Sequence, residues 1–359
     1  MEGGYLLRSV IRILVVMSIV LIVGIYLNQS IKENEVLENS TSVSPQKASK
    51  ELEKELEKGS QSVSVRKAPE KGSGSFVGKP SKEVIHAFGQ PVRKDPSAYG
   101  YEWWVYKKAN QYMQFGIENN RVVSAYAAGQ ADAAPFKLGQ RMEGIFQSNP
   151  LDTEVVVKNK TGTYRFELSE EDYNIRPLIP LGDIYAQLYI DQFTGKLSSV
   201  RFLTKDCLIK LRPYELVYRG ELPAVAEPSA KRWAQIERGS EQQILDLTNI
   251  IRARFDLGTV KWEPAAAAVA KRHSKEMFEK NYFAHESPTA GDLGDRLQAA
   301  DISYELAGEN IAANYIDGPA AVEGWLNSKG HRQALLEKDF TLLGVGVYRK
   351  YYTQNFLGR

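Results

Sequence analysis

The hydrophobic rhythm of the chain changes several times along its length. Near the N-terminus, Ile13 to Leu27 reads ILVVMSIVLIVGIYL, apolar throughout and free of charge and proline. At about 1.5 Å per helical residue this run reaches about 22 Å, against a hydrocarbon core of about 30 Å. Leu6, Leu7, Val10 and Ile11 lengthen it if Arg12 snorkels to the headgroups. Arg8 and Arg12 precede the run, and Lys32, Glu33 and Glu35 follow it. The positive-inside rule then places the N-terminus in the cytoplasm and everything after Asn28 outside. Because GIYLNQS offers no A-x-A-like site, residues 1–30 read as an uncleaved, single-pass transmembrane signal-anchor rather than a cleaved signal.

Residues 31–75 are polar and rich in Ser, Lys and Glu, including ELEKELEKG and KGSGS. They have too little apolar surface to offset ordering entropy and read as a disordered stalk. Such a stalk would span roughly 35–40 Å root-mean-square. From 76 to 220 the period becomes strand-like, in YEWWVYKK, YMQFGIE, RVVSAYA, TEVVVKN, TYRFELS, DIYAQLYID and LSSVRFLT. Asn119-Asn120 and Thr194-Gly195 have the composition of hairpin turns. Two Gly-led, proline-closed stretches, 77–91 and 138–150, each precede strands and suggest a duplicated helix-plus-antiparallel-strands unit.

A linker with Pro223 and Pro228 covers 221–238, and from 239 to 359 the period is helical. Ile244, Leu247, Ile250, Ile251 and Phe255 share one side of a helix that Gly258 stops. Pro264 opens a second helix over 264–281, and GPAAVEGWLNS predicts a third, broken at Lys329-Gly330. LLGVGVYRK and YYTQNF alternate like paired strands. The fold class is α+β: a C-terminal sandwich with helices on a sheet, preceded by a smaller α+β domain and a transmembrane helix.

Length agrees with two folded units plus connecting material. A net charge of +2 gives no basic surplus for nucleic acid. The single cysteine, Cys207, excludes an intramolecular disulfide and any multi-cysteine metal site, and reads as a small buried hydrophobe. His86 lies on a predicted helix as a surface or packing residue. Trp103, Trp104, Tyr106 and Tyr112 fit a strand core better than a groove.

HSKEM, NYFAHESP, AGENIA, GWLNSKGHR, LLGVGV and YYTQNF follow one another over about 240–359. In that order they resemble the bacterial branch of the CAP superfamily (cysteine-rich secretory proteins, antigen 5, pathogenesis-related proteins). The region 76–220 resembles the CAP-associated N-terminal domain of membrane-anchored Firmicute surface proteins. The resemblance implies an α-β-α sandwich with a cleft of two histidines and two glutamates that can bind a divalent metal. The matching positions are His285, Glu309 and His331, while the second glutamate position, three residues after Trp325, holds Ser328. His285, His331 and Glu309 would suffice for Zn²⁺ or another divalent cation with a water as fourth ligand. Ser328 in place of a carboxylate weakens attraction for the cation and removes the obvious general base.

Glu286 and Glu323 are nearby in sequence but match no motif, and His273 sits mid-helix, outside the family cleft, as a packing or surface residue. Each cleft residue also has a local role open to it: His285 bonding backbone at a helix end, Glu309 capping a turn, His331 opening a helix. A Ser–His–Glu hydrolase could be drawn from Ser287 or Ser328 with His331 and Glu309. No nucleophile elbow or oxyanion motif accompanies them, so no catalytic residue is assigned. The expected function is a membrane-tethered extracytoplasmic protein whose cleft binds an envelope ligand: a lipid, peptide, wall polymer or protein. A divalent-metal-dependent hydrolase is the alternative, and a structural protein with a vestigial cleft the third reading. The middle domain would be a spacer, or a lid and partner for the cleft.

Overall fold

The computed structural model describes residues 37–39, 46–47, 66–148 and 151–358. The apolar run at 13–27 lies outside them, and among the described residues no helix is long and apolar enough to cross a membrane.

Two short strands come first, β1 (Leu37–Glu38) and β2 (Gln46–Lys47). A 3-10 turn at Ser73–Phe76 and helix α1 (Ser81–Phe88) lead into four strands. These are β3 (Arg93–Pro96), β4 (Glu102–Lys108), β5 (Gln111–Glu118) and β6 (Arg121–Gly129). Asn119 and Asn120 join β5 to β6 with φ of 49° and 59°, the left-handed pair that a two-residue hairpin turn requires and asparagine tolerates. The chain continues through α2 (Met142–Ser148), β7 (Glu154–Lys158), β8 (Gly162–Glu167) and α3 (Glu170–Ile175). The middle region closes with β9 (Leu178–Leu181), β10 (Ile184–Asp191), β11 (Lys196–Thr204), α4 (Lys205–Leu211) and β12 (Glu215–Gly220).

These strands form a seven-stranded sheet, β3-β4-β5-β6-β11-β10-β9, and a four-stranded sheet, β2-β12-β8-β7. The two helix-led halves meet where β6 and β11 pair antiparallel, as two copies of one unit would if joined at their last strands; β7 and β8 stand apart in the other sheet. The middle region, expected to be the smaller domain, holds sheets of seven and four strands against the single five-stranded sheet of the C-terminal region. Its main sheet is covered on both faces, which takes more chain than a half-exposed sheet. On one face Tyr106, Phe115, Val200 and Phe202 pack with Val84 of α1 and Ile145 of α2. His86 is exposed on α1. Trp103, Trp104, Tyr106 and Tyr112 are all buried, so they are core. Cys207 is buried too, and burial pushes its thiol up to about 12, where it is inert.

The C-terminal region runs α5 (Ala230–Arg254), β13 (Lys261–Trp262), α6 (Pro264–Lys280), α7 (Leu293–Gln298) and β14 (Leu306–Ala313). It ends with α8 (Gly318–Leu326), α9 (Lys329–Leu336), β15 (Leu342–Tyr348) and β16 (Tyr351–Gly358). The sheet order is β1-β14-β16-β15-β13. Helix α6 lies directly on β15, where a Cβ on Gly344 or Gly346 would fall 2.2 and 1.9 Å from helix backbone nitrogens. Leu343, Val345 and Val347 point to the other face and share a core with Ile244 and Leu247 of α5, Trp325 of α8 and Leu335 of α9. The expected α-β-α sandwich is present.

Two expected boundaries change. Helix α5 starts inside the segment 221–238 read as linker, because Ser229 caps it through Arg232 N and Trp233 and Ile236 are buried. The stalk reading of 31–75 is corrected at the described residues 37–39, 46–47 and 66–75; 31–36, 40–45 and 48–65 lie outside them. Strand β1 pairs parallel with β14, and β2 pairs parallel with β12. Open strand edges present backbone donors and acceptors that any extended segment can satisfy, whatever its composition.

The two folded regions share an interior rather than touching through a linker. Val105, Tyr112, Tyr126 and Tyr189 of the seven-stranded sheet belong to the same core as α5 and α8. Across that boundary the fully buried Arg201 of β11 forks onto Asp317, Nη1 to Oδ2 and Nη2 to Oδ1, both at 2.7 Å. Asp317 also caps α8 through Ala320 N at 3.1 Å. Asp246 accepts from Arg93 at 3.0 Å and from Lys107, and Gln243 donates to Asp95 at 2.9 Å. Glu323 accepts from Tyr126 at 2.9 Å and Ser199 at 2.5 Å.

Removing one partner of a buried fork strands the other charge. Arg201→Ala is expected to cost about 3–5 kcal/mol in urea unfolding. Arg201→Met with Asp317→Leu should recover most of that, short of the lost helix cap worth about 1 kcal/mol. Unfolding free energies equal for the single and double variants would contradict the assignment.

Candidate functional site

The loop after α6 carries His285, and its shape is set from two sides. Glu276, one turn before the end of α6, accepts from Ser287 at 2.6 Å, Tyr282 at 3.0 Å, Lys280 at 2.7 Å and Thr289. Burial pushes its carboxyl up, but these four donors together outweigh that and lower it to about 2. From inside, His273 of α6 meets the Ala284 carbonyl through Nε2 at 3.1 Å. His273 is thus buried beneath the loop that carries His285, and burial lowers its imidazole to about 4.

Glu309 stands on β14, which places it opposite His285. Its Oε1 lies 3.0 Å from His285 Nδ1. Arg296 of α7 donates to both its oxygens, Nη1 to Oε2 at 2.8 Å and Nη2 to Oε1 at 3.1 Å, and also to the His285 carbonyl at 2.9 Å. Burial alone would raise the Glu309 carboxyl, but the hydrogen bonds from His285 and Arg296 and the guanidinium charge hold it below the usual carboxylate range. Glu309 is an ionised carboxylate whose lone pairs are already engaged.

His331 sits in the first turn of α9. Ser328 is the N-cap residue of that helix, yet its hydroxyl makes no capping bond among the described residues. Ser328 Oγ lies instead 2.7 Å from His331 Nδ1. Asn310, fully buried beside Glu309 on β14, donates to the His331 carbonyl and to Gln354, each at 3.1 Å. The His331 imidazole is 4% exposed as a residue, and burial, with His285 nearby, lowers it to about 4. Its Nε2 is buried and has no hydrogen-bond partner among the described residues. The His285 and His331 rings stack at 6.2 Å between centroids, 28° apart in plane.

The four family-matched positions therefore converge, but as two pairs. Glu309 orients His285, and Ser328 orients His331, so in each imidazole the Nδ1 is taken and Nε2 remains. This does not fit the predicted three-ligand set of His285, His331 and Glu309. Arg296 already supplies a cation to both Glu309 oxygens, and among the described residues no group of three or more His, Cys, Asp or Glu could hold a metal ion. The Ser–His–Glu arrangement is likewise split, since Glu309 contacts His285 while Ser328 contacts His331. Ser287 is buried and donates to Glu276, away from both. Glu286 is exposed and Glu323 is turned into the interdomain boundary.

Sequence reasoning missed Arg296, while His273 is a packing residue, one of the two roles expected for it. The capping box formed by Asp292 and Asp295 marks the start of α7, but nothing in that pattern says where a lone arginine in a short helix will send its charge.

A sandwich with α6 on one face, α5, α8 and α9 on the other, and a histidine pair at the sheet edge defines the cysteine-rich secretory protein (CAP) class. The chain belongs to that family: the CAP family matches residues 245–358, and the CAP-associated N-terminal family matches 77–214. It is 51% identical over 293 residues to the uncharacterised membrane protein YlbC of Bacillus subtilis (strain 168), covering 81% of this chain and 85% of YlbC. An extracellular protein containing an SCP domain from Bacillus anthracis str. Ames superposes with a TM-score of 0.77 at 46% identity, over 84% of this chain and 99% of that one. A cysteine-rich secretory protein from Staphylococcus aureus subsp. aureus Mu50 gives 0.76 at 29% identity, over 90% of this chain and 98% of that one. The protein is thus an extracellular-type CAP-domain protein with a membrane-protein homologue.

The depressed imidazoles make a pH prediction. Between about 4 and 6.5 the unfolded chain binds protons that His273 and His331 refuse in the folded state. Their stabilising contribution is complete above pH 6.5 and is lost as the pH falls toward 4, by up to about 3 kcal/mol each. Glu309 adds a loss in the same direction at still lower pH: its share is present above the usual carboxylate range and is lost as pH falls through its depressed value. Urea midpoints measured from pH 7 to 5 should fall, and His331→Gln should flatten the slope. A slope unchanged by that substitution would refute the assignment.

Proposed function

We propose that this is a membrane-tethered protein acting outside the cytoplasm, whose His285–His331 cleft binds a polar ligand of the cell envelope. The carrying observation is the His331 imidazole. It is buried, neutral at physiological pH and oriented by Ser328, with an Nε2 that no protein group among the described residues satisfies. Beside it the His285 side chain is 25% exposed and is oriented by Glu309. Leaving a buried polar atom unpaired costs about 1–3 kcal/mol, which a ligand supplying the missing hydrogen bond would return. The tether reading rests on the apolar run with its charge asymmetry and on the printed name of the Bacillus subtilis relative.

Binding of the full-length protein, its apolar run already held in a nanodisc, to purified wall sacculi and to vesicles of envelope lipid measures this directly. His285→Ala and His331→Ala should each weaken the bound form at least tenfold while the protein stays folded. Equal binding by wild type and both variants would end this reading.

The metal-dependent hydrolase is the second reading, and the free Nε2 positions are what favour it. The engaged Glu309 counts against it, since two imidazoles alone are a poor ligand set. In a zinc titration of the full-length chain, this reading requires binding that is lost in both histidine variants. Glu309→Gln should then lower affinity only about 10–100-fold, as for an orienting group. No binding at micromolar zinc would remove it.

A further inference from the structure

The segment carrying Ser328 and His331 is held at both ends by the middle domain. At its start, Asn327 Nδ2 donates to the Ile190 carbonyl at 2.8 Å, Gln192 N donates to Asn327 Oδ1 at 2.8 Å, and Gln192 Nε2 donates to the Asn327 carbonyl. Just past His331, Arg332 forks onto Asp191, with Nη1 to Oδ1 at 2.9 Å and Nη2 to Oδ2 at 3.1 Å. The same guanidinium lies between two rings, 4.8 Å from the centre of Phe193 and 5.0 Å from that of Phe255. It also donates to the Leu326 carbonyl at 3.0 Å, tying the end of α8 to the start of α9. Ile190, Asp191, Gln192 and Phe193 all belong to the end of β10 and the β10–β11 turn, where the pairing register shifts.

From this geometry we infer that the middle domain is a working half of the cleft. Its β10–β11 hairpin positions the Ser328–His331 pair, with Asp191 and Gln192 as positioning residues. The CAP fold alone leaves Asn327 and Ser328 as a short break between two helices, just before the turn that carries His331. A break of that kind has several ways to turn, and each would aim the His331 ring differently. The hairpin selects one by satisfying the backbone and side chain of Asn327 and by fixing the Arg332 guanidinium in a charge-assisted fork, a geometry with little angular freedom. A domain that served only as a spacer would have no need of contacts on both sides of one histidine. The inference does not depend on which ligand the cleft takes.

With only four histidines in the chain, 15N-histidine labelling of the full-length protein gives a small set of imidazole signals, assignable by single His→Gln variants. At fixed neutral pH the 15N shifts of His331 report its tautomer and its bond to Ser328. In Gln192→Ala, which removes an exposed side chain, and in Asp191→Asn, the His331 shifts should move toward the averaged position of an imidazole exchanging between tautomers. His273 should stay where it is. Lys107→Ala, which loosens the same domain boundary at Asp246 on α5, should leave His331 unmoved. Unchanged His331 shifts in both hairpin variants overturn the inference. So does an equal change in Lys107→Ala, which would make the effect one of general undocking. Failure of sacculus and vesicle binding would leave these spectra as informative as before.

Discussion

The buried fork between Arg201 and Asp317 is the constraint on which the arrangement of this protein turns. Neither group can leave the other without remaining charged and dry, so the seven-stranded sheet and α8 are held in one relation. Asp317 begins α8, Glu323 in its middle accepts from Tyr126 and Ser199, and Asn327 at its end meets the β10–β11 hairpin. One helix of the CAP fold is thus fixed to the neighbouring domain at its start, middle and end. The cleft histidine that follows inherits that fixity.

The same logic explains why the cleft is two pairs rather than a ligand cage. A buried carboxylate takes the strongest donors in reach, and for Glu309 these are the Arg296 guanidinium and the His285 ring. Once Arg296 occupies both oxygens, Glu309 can orient an imidazole but has little left for a cation. Ser328, which would ordinarily cap α9, does the equivalent for His331. The substitution of a hydroxyl for a carboxylate at this position therefore changes what holds the ring, while the ring is still held.

Segments β1 and β2 extend this docking to chain that composition would leave free. Each adds a two-residue strand to an open edge, one on the CAP sheet and one on the four-stranded sheet. Edge pairing uses backbone groups, so it is nearly blind to side-chain pattern, and a polar Ser/Lys/Glu stretch can supply it. The stalk reading failed at those residues for that reason.

Much of the fold is legible in the order of residues. Helix periods, the Pro264 start, the Asn119-Asn120 turn and the ordered motifs gave the sandwich, its relative in the middle region and the four converging positions. These are legible because local propensity and hydrophobic period are properties of neighbouring residues. Which partner each cleft residue takes is settled by packing between distant segments. Arg296 is 13 residues from Glu309 and Asp191 is 141 from Arg332, and no local pattern encodes where a long charged side chain finds its counter-charge. The docking of the two domains was hidden in the same way. Charged residues such as Arg201 and Glu323 carry no local mark of burial, and only a partner across the boundary makes them interior.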